Sequence, residues 1–358
     1  MSEVVLMRGN EALAEAAIRT GADVYFGYPI TPQSEVMEYL ASERPEKRTG
    51  MIILQAESEI AAINMVYGAA GAGCKVMISS SGPGISLMQE AISFIAGAQV
   101  PCLIVNFMRG GPGLGTIQAS QGDYFQATRG GGHGDYRTVV LAPATVQEMV
   151  DFVSLGFDLA FAYRNPVLIL ADGMIGQMME KIKLPPQQQR LSPEQIAEKY
   201  PWAVTGKKKN RKRNILNSVE LNSEKQEQNN FTLIQKYNTI AEKETRYEEY
   251  MCDDADNIIV AFGSASRIGK KAIEIARSQG IKIGLVRPIT LYPFPYTIIE
   301  HYAEKVKGMM VLEINSGQMV EDVRLAVNGK CKVAFYGRMG GIIPTPTEVL
   351  DVCKQKIL

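Results

Sequence analysis

Short apolar runs alternate with stretches of helical spacing over most of the chain. The predicted strands of the first half are Val24–Phe26, Met51–Gln55, Lys75–Ser79, Cys102–Phe107, Thr138–Leu141 and Val167–Ala171. Between them, apolar positions recur every three or four residues, beginning with a helix over Glu11–Thr20 for which Asn10 is the expected cap. Because strands that alternate with helices form parallel sheets covered on both faces, this pattern predicts an α/β fold with a doubly wound parallel sheet.

The alternation stops near residue 184 and resumes at residue 257. Residues 185–256 are rich in proline, glutamine and charge, and they predict a polar linker or surface excursion with one exposed helix within 231–250. A second, smaller α/β unit follows, with predicted strands at Asn257–Phe262, Ile281–Val286, Met309–Ile314 and Lys332–Tyr336. The expected domains are therefore residues 1–184, 185–256 and 257–358.

Charge and hydropathy argue against nucleic-acid and membrane partners. The 38 basic and 38 acidic residues leave a formal net charge of zero, so no global field attracts polyanions. A basic run from Lys207 to Arg213 lacks interleaved aromatic residues, and a solvated connection is favoured over a nucleic-acid patch. No apolar run is long enough to predict a transmembrane helix, and the first residues lack a signal-peptide pattern. We therefore expect a cytoplasmic protein.

Few residues in this chain are suited to metal chemistry. Its five cysteines are scattered without a Cys-x-x-Cys pair, which argues against a disulfide framework, a zinc site or an iron–sulfur cluster. Its two histidines, His133 and His301, have no convincing partner for a metal centre or a catalytic triad. A Gly-x-x-x-x-Gly-Lys-Ser/Thr phosphate loop is also missing from the sequence. We expect no metal site in this chain.

The loop from Tyr28 to Glu35 is the first candidate for a functional site. Pro29 and Pro32 stiffen it and restrict the backbone of Thr31 between them, and Ser34 is the expected cap of the next helix. In doubly wound sheets, ligands bind at the carboxyl ends of strands, where this loop lies. An ordinary strand-to-helix turn uses the same residue types, so the loop alone leaves both interpretations open.

Three further stretches follow predicted strands in the same way. Glu57 and Glu59 begin a helix of small residues, and because they are two positions apart, at most one points into a given site. Ser81-Gly82-Pro83-Gly84 forms a turn that permits close backbone approach before a helix over Ile85–Ala96. Arg109, ahead of a glycine-rich loop, suits the capture of a carboxylate. Helix-end stabilisation, a plain turn and a surface arginine are the respective alternatives.

Taken together, these stretches resemble the α-type subunit of the 2-oxoacid:ferredoxin oxidoreductases, which are thiamine diphosphate enzymes. The resemblance rests on Tyr-Pro-Ile-Thr-Pro at 28–32, Glu59 with Gly68 nine residues later, Ser-Gly-Pro-Gly at 81–84, and Arg109 before its glycine loop. It implies a pyrimidine-binding domain followed by a transketolase C-terminal-like domain, the latter marked by Arg287–Pro295. Gln55–Glu59 and Gly130–Gly134 are most similar to the 2-ketoisovalerate group, with the 2-oxoglutarate group close behind.

The resemblance also implies roles for individual residues. Glu59, found by counting back from Gly68, would be the catalytic carboxylate that bonds N1′ of the cofactor's aminopyrimidine. Thr31 and Arg109 would bind the substrate carboxylate. The residues implied to contact the cofactor are Pro29, Ile30, Thr31, Glu59, Ser81, Gly82 and Gly84. The diphosphate, its Mg²⁺ and the iron–sulfur clusters would be held by partner subunits, so the thiamine diphosphate would be shared between chains.

The implied reaction is the CoA-dependent oxidative decarboxylation of 2-ketoisovalerate to an acyl-CoA and CO2, with electrons passed to ferredoxin. The implied partners are a subunit that binds thiamine diphosphate and Mg²⁺, a small γ-type subunit and a ferredoxin-like subunit, in a hetero-oligomer with pseudo-symmetric dimerisation. The alternatives are the same reaction on 2-oxoglutarate, a non-catalytic scaffold of the same fold, and a stand-alone nucleotide-dependent enzyme. The missing phosphate-binding motifs disfavour the last of these.

Overall fold

The computed structural model describes residues 3–207 and 213–358, which build two mainly parallel sheets. The larger sheet consists, in spatial order, of Thr290–Tyr292 (β12), Val139–Leu141 (β6), Pro166–Asp172 (β7), Cys102–Met108 (β5), Val76–Ser80 (β4), Val24–Gly27 (β2) and Ile52–Gln55 (β3). Only β12 runs antiparallel to its neighbour. The predicted α/β class is confirmed.

Helices cover both faces of this sheet. They are Gly9–Arg19 (α1), Ser34–Glu43 (α2), Pro45–Arg48 (α3), Glu59–Gly71 (α4), Gly82–Gly97 (α5), Tyr124–Arg129 (α6), Val146–Tyr163 (α7) and Gly173–Gln177 (α8). Side chains of α4 and α5 pack in a core on one face, and those of α1 and α7 pack in a core on the other. Because both faces are covered, central strands such as β5 are entirely buried, which explains why their sequence is almost wholly apolar.

The smaller sheet has five strands. In spatial order they are Lys332–Gly337 (β14), Gly308–Glu313 (β13), Asn257–Val260 (β10), Ile283–Pro288 (β11) and the antiparallel Tyr247–Tyr250 (β9). Its helices are Gly263–Ser278 (α11), Tyr296–Ala303 (α12), Met319–Val327 (α13) and Pro346–Lys356 (α14). Among the described residues, every helix is too short or too polar to cross a membrane.

The region between the two sheets includes one short helix and one long helix. It contains Pro193–Lys199 (α9) and Ser223–Lys243 (α10), and a ribbon just before it pairs Glu3–Arg8 (β1) with Met179–Leu184 (β8). The single helix predicted within 231–250 is wrong in its extent, because α10 ends earlier and β9 joins the second sheet. Residues 208–212 of the basic run lie outside the described residues. The predicted domain boundaries stay predictions.

The stretch Arg287–Pro295 joins the two sheets. It includes the end of β11 in the smaller sheet and all of β12 in the larger one. The buried guanidinium of Arg287 donates to both carboxylate oxygens of Glu148, at 2.9 and 2.6 Å, and to Glu248 at 2.6 Å. Since a buried charge is tolerated only when it is paired, these bonds tie the two sheets into one orientation.

Candidate active site

The four stretches singled out from the sequence lie side by side at one edge of the larger sheet. The Thr31 loop follows β2, Glu59 follows β3, Ser81 follows β4 and Arg109 follows β5. These strands are neighbours in the order β5, β4, β2, β3. Parallel strands place their carboxyl ends at the same edge, so segments that are distant in sequence meet at one cleft.

The Thr31 loop is anchored through the residue after the threonine. The carbonyl oxygen of Pro32 accepts hydrogen bonds from the amide groups of Asn10, at 2.8 Å, and Gln177, at 3.1 Å. Pro29 and Thr31 remain exposed on the outer side of the loop. The expectation that Asn10 caps α1 is wrong, because Arg8 precedes that helix and the Asn10 amide is used to hold the loop.

A buried polar network lies directly beneath this loop. Gln33, which is fully buried, accepts a hydrogen bond from the Ser79 hydroxyl at 2.6 Å, and Tyr25 lies 2.8 Å from the same hydroxyl. Gln33, not Ser34, is the N-cap residue of α2. The sequence analysis missed this network. Its one local signal is the pair of serines, Ser79 and Ser80, that ends an otherwise apolar strand.

Glu59 is the first residue of α4, and its carboxylate turns into the protein. The residue is only 7% exposed, whereas Glu57 is exposed to solvent. A Cβ placed on Gly84 would lie 2.6 Å from Oε1 of Glu59, so the carboxylate is packed directly against that glycine. Within residues 3–207 and 213–358, no hydrogen bond or ion pair reaches this carboxylate. A nearly buried carboxylate without a partner is poised to accept a hydrogen bond from a ligand.

Gly82-Pro83-Gly84 forms the first turn of α5, so the expected helix start at Ile85 is wrong. The cap residue Ser81 donates its hydroxyl to the carbonyl of Phe107 at 2.7 Å, which ties the start of α5 to strand β5. The Ser80 hydroxyl is buried without a partner and lies 2.1 Å from the Cβ position of Gly84. The Ser80 hydroxyl and the Glu59 carboxylate, both unpaired, therefore crowd the position that a Cβ of residue 84 would occupy, so only glycine fits there without displacing them.

Arg109 contacts two of the loops at this edge. Its Nη1 donates to the backbone carbonyl of Thr31 at 2.8 Å, and its Nη2 donates to the carbonyl of Leu114 at 3.0 Å. Its Nε is buried and unpaired. Because a guanidinium has five N–H donors, Arg109 can hold both loops and still bind an anion. A cavity of about 430 Å³ opens beside it, lined by Gly82, Pro83, Ser86, Arg109, Gly110, Gly111, Pro112, Gly113, Leu114 and Asp123.

Asp123 is a charged group of this cavity that the sequence analysis missed. Its Oδ2 accepts a hydrogen bond from the Asn106 amide at 2.9 Å. Burial raises the pKa of the Asp123 carboxyl, although the Asn106 bond and the charge of Arg109 oppose that effect. The available signal was Asn106 itself, a polar residue in the apolar run of β5.

His133 lies away from these residues. It is exposed and lines a separate cavity of about 520 Å³ between α5 and residues 218–233. The neighbouring Gly131 and Gly132 pack against Gln89 and Ser93 of α5. The glycine-rich run 130–134 is therefore in contact with the outer part of α5 and does not line the cavity beside Arg109.

Two family models match the chain in succession. The model described as "Pyruvate flavodoxin/ferredoxin oxidoreductase, thiamine diP-bdg", a thiamine diphosphate-binding domain, matches residues 15–251. The model described as "Pyruvate:ferredoxin oxidoreductase core domain II" matches residues 255–349. The matches together extend over most of both sheets.

Similar proteins cover nearly the whole chain. Ketoisovalerate oxidoreductase subunit VorB is 47% identical in Methanothermobacter thermautotrophicus and 49% identical in Methanothermobacter marburgensis, over 98% of this chain and 97% and 96% of those proteins. 2-Oxoglutarate synthase subunit KorA of M. marburgensis is 35% identical over 98% of both chains.

A solved structure of a 2-oxoacid oxidoreductase also superposes on this chain. The 2-oxoglutarate:ferredoxin oxidoreductase from Magnetococcus marinus, with 2-oxoglutarate, coenzyme A and succinyl-CoA bound, superposes with a TM-score of 0.83 at 29% identity. The match covers 99% of this chain and 65% of that one, so this chain spans about two thirds of its structural relative. The chain thus belongs to the pyruvate flavodoxin/ferredoxin oxidoreductase family, and the resemblance inferred from its sequence, to a 2-oxoacid:ferredoxin oxidoreductase subunit of the ketoisovalerate group, is confirmed.

Proposed function

We propose that this chain supplies the aminopyrimidine half of a thiamine diphosphate site in a CoA-dependent 2-ketoisovalerate:ferredoxin oxidoreductase. The observation that carries the proposal is the unpaired carboxylate of Glu59, which is packed against Gly84 at the strand edge shared with Arg109. A nearly buried carboxylate is costly unless it gains a partner, and an aminopyrimidine nitrogen would be that partner.

The residues at the strand edge fit the cofactor. The Glu59 carboxylate would hold a proton at N1′, and the absence of a Cβ at Gly84 lets that carboxylate pack against the first turn of α5. Pro29, Ile30, Ser81 and Gly82 border the same edge and are our proposed further contacts. When bound, thiamine diphosphate supplies the nucleophilic carbon that attacks a 2-oxo group and the electron sink for decarboxylation.

The substrate's carboxylate is assigned to Arg109 and Thr31. The guanidinium is fixed by two backbone carbonyls, so its remaining N–H donors are held in place beside the cavity. A fixed donor set avoids the entropy of ordering a long side chain on each binding event. The higher identity to ketoisovalerate subunits, 47–49% against 35% for the 2-oxoglutarate subunit, supports a branched-chain 2-oxoacid.

Exposed apolar surface next to Glu59 supports a site completed by another chain. Helix α4 is apolar on nearly all sides, yet Ile60 and Met65 are 50% and 38% exposed on its outer face. On the adjacent edge strand β3, Ile52 and Leu54 are also exposed. A helix that is apolar all round is normally covered. We propose that this surface binds the subunit that holds the diphosphate and Mg²⁺. The iron–sulfur clusters would be carried by a further, ferredoxin-like subunit, and the γ-type subunit would be another separate chain.

The test compares Glu59→Gln with Glu57→Gln in the co-expressed complex. Glutamine retains the shape but cannot hold the proton, so Glu59→Gln should lower 2-ketoisovalerate-dependent ferredoxin reduction by about 10²- to 10⁴-fold. Glu57→Gln removes an exposed charge two residues away and should leave the rate nearly unchanged. Equal rates for Glu59→Gln and the unmodified complex would favour a non-catalytic scaffold.

The choice of substrate needs its own measurement. The values of kcat/KM for 2-ketoisovalerate, 2-oxoglutarate and pyruvate should be compared in the same preparation. We expect 2-ketoisovalerate to have the highest value. A preference for 2-oxoglutarate would retain the proposed site and refute the assigned substrate.

A further inference from the structure

The strand edge at which the smaller sheet would accept a ligand is filled by part of the larger domain. In doubly wound sheets this crevice lies beyond the carboxyl ends of the parallel strands. Here the segment from Gln118 to Phe125, called the bridging segment below, passes beyond the ends of β10 and β13. Its central residue, Gln121, has no exposed surface.

Gln121 is bonded to the smaller sheet through both its backbone and its side chain. Its N–H donates to the carbonyl of Ile314 at 2.8 Å, and its carbonyl accepts from the Asn315 amide at 2.8 Å. Its side-chain Nε2 donates to the carbonyl of Phe262 at 2.8 Å, while Oε1 accepts from the N–H of Ile314 at 3.1 Å. Gln121 therefore pairs with backbone groups just beyond the ends of two strands, and the N–H of Ile314 would otherwise need water or a ligand.

The bridging segment begins beside the proposed substrate site. The N–H of Gly110 donates to the carbonyl of Gln118 at 3.0 Å, and Arg109 pairs with Ala119 as an isolated antiparallel bridge. Further along, Asp123 lines the cavity beside Arg109. The backbone of Arg109 is thus paired with a segment whose position is set by the smaller sheet.

We propose that Gln121 is a positioning residue for the 2-oxoacid site, which it serves by seating the bridging segment in the smaller sheet and thereby fixing the Arg109 backbone. This rests on the proposed function, in which Arg109 binds the substrate carboxylate. Gln121 contacts neither the cavity nor any proposed reacting group. Its loss would leave the N–H of Ile314 unpaired, would leave the carbonyl of Phe262 with only the longer bond from the N–H of Ser266 at 3.3 Å, and would loosen the segment.

The kinetic test compares Gln121→Leu with Arg267→Met in the complex. Arg267 also joins the two domains, donating to the carbonyl of Ala144 at 3.1 Å and to Glu180 at 2.8 Å, but it does not contact the bridging segment. Misplacing a binding group by about 1 Å costs up to about 100-fold, so Gln121→Leu should raise the KM for the 2-oxoacid by roughly 10- to 100-fold, with kcat changed much less. Arg267→Met should leave the KM unchanged.

Gln318→Ala is the milder variant to use if Gln121→Leu does not fold. The Gln318 side chain donates to the carbonyl of Gly122 at 2.6 Å and accepts from the N–H of Phe125 at 2.7 Å, so it holds the same segment from the other side. Gln318→Ala should change the KM in the same direction. An unchanged KM in Gln121→Leu would overturn the proposal. If that variant does not fold, an unchanged KM in Gln318→Ala would overturn it instead.

Hydrogen exchange on the full chain separates this proposal from the proposed function. Amides of residues 109–125 should exchange faster in Gln121→Leu than in Arg267→Met, whatever reaction the complex catalyses. Unchanged exchange would refute the seating role. Faster exchange with an unchanged KM would show that Gln121 has only a structural role, and this would overturn the proposal. The proposed function would be refuted by a different result, namely an unmodified complex that has no activity towards any 2-oxoacid.

Discussion

Adding one methyl group at Gly84 tests whether the position of the Glu59 carboxylate matters. The new Cβ would lie 2.6 Å from Oε1 and 3.0 Å from Cγ of Glu59, where ordinary contacts are 3.4–4 Å. It would also lie 2.1 Å from the Ser80 hydroxyl oxygen. The backbone of Gly84 belongs to the first turn of α5, which alanine adopts readily, so the perturbation is steric.

The size of the effect follows from these distances. The carboxylate has to retreat by about 1 Å to restore ordinary contact, and such a misplacement of a reacting group costs about 10²-fold in rate. That factor corresponds to about 2.7 kcal/mol of transition-state stabilisation. Overpacking at a buried position also destabilises the fold, typically by about 1–3 kcal/mol. Gly84→Ala should therefore lose most of its activity while the complex still folds.

The assay is 2-oxoacid-dependent ferredoxin reduction by Gly84→Ala, Glu59→Gln and the double variant, together with bound thiamine diphosphate and unfolding midpoints. If the methyl group acts by moving Glu59, it should add little to the loss that Glu59→Gln already causes, because substitutions that act through one group are not additive. Two results would refute the reasoning. One is full activity in Gly84→Ala, and the other is an undiminished further loss in the double variant.

Two other substitutions probe the cavity beside Arg109. Arg109→Ala should raise the KM for the 2-oxoacid by at least about 10-fold, since a charge-assisted bidentate contact contributes about 1.5–3 kcal/mol; an unchanged KM would place the substrate carboxylate elsewhere. Because burial raises the pKa of Asp123 above its ordinary 3.8, the folded chain holds that proton more tightly and loses stability as the pH rises through the raised pKa. Asp123→Asn does not titrate, so it should be the more stable form at neutral pH, by about 1.4 kcal/mol for each pH unit between the two pKa values. Urea unfolding at several pH values should show this advantage fading as the pH falls towards 3.8, and a constant difference would contradict it.

Much of the fold was predictable because buried parallel strands have a strong local signature. β5 and β13 are apolar except for Asn106 and the terminal Glu313, so their positions follow from the sequence to within a residue or two. The clustering of Thr31, Glu59 and Arg109 was predictable for a topological reason, since each follows a strand of one parallel sheet.

Features that depend on long-range contacts were not predictable in this way. Asn10 resembles a helix cap in sequence, but its amide binds a carbonyl 22 residues away. Gln121 resembles an ordinary loop glutamine, although it is fully buried in a crevice formed by residues near 262 and 314. The start of α5 was placed too late because Gly82 and Pro83 are typical of turns, whereas proline is also well suited to the first turn of a helix.

The exposed edge strand β3 has a consequence for how the chain must be made. Ile52 and Leu54 are exposed on a strand whose outer edge pairs with no other strand among residues 3–207 and 213–358, beside the apolar outer face of α4. Such an edge readily pairs with the same edge of another copy, which is a common route to aggregation. We therefore expect the chain to accumulate as insoluble protein, or to be degraded, when it is synthesised in excess of its partners. Balanced synthesis of all subunits would then be a requirement imposed by the exposed surface of this chain.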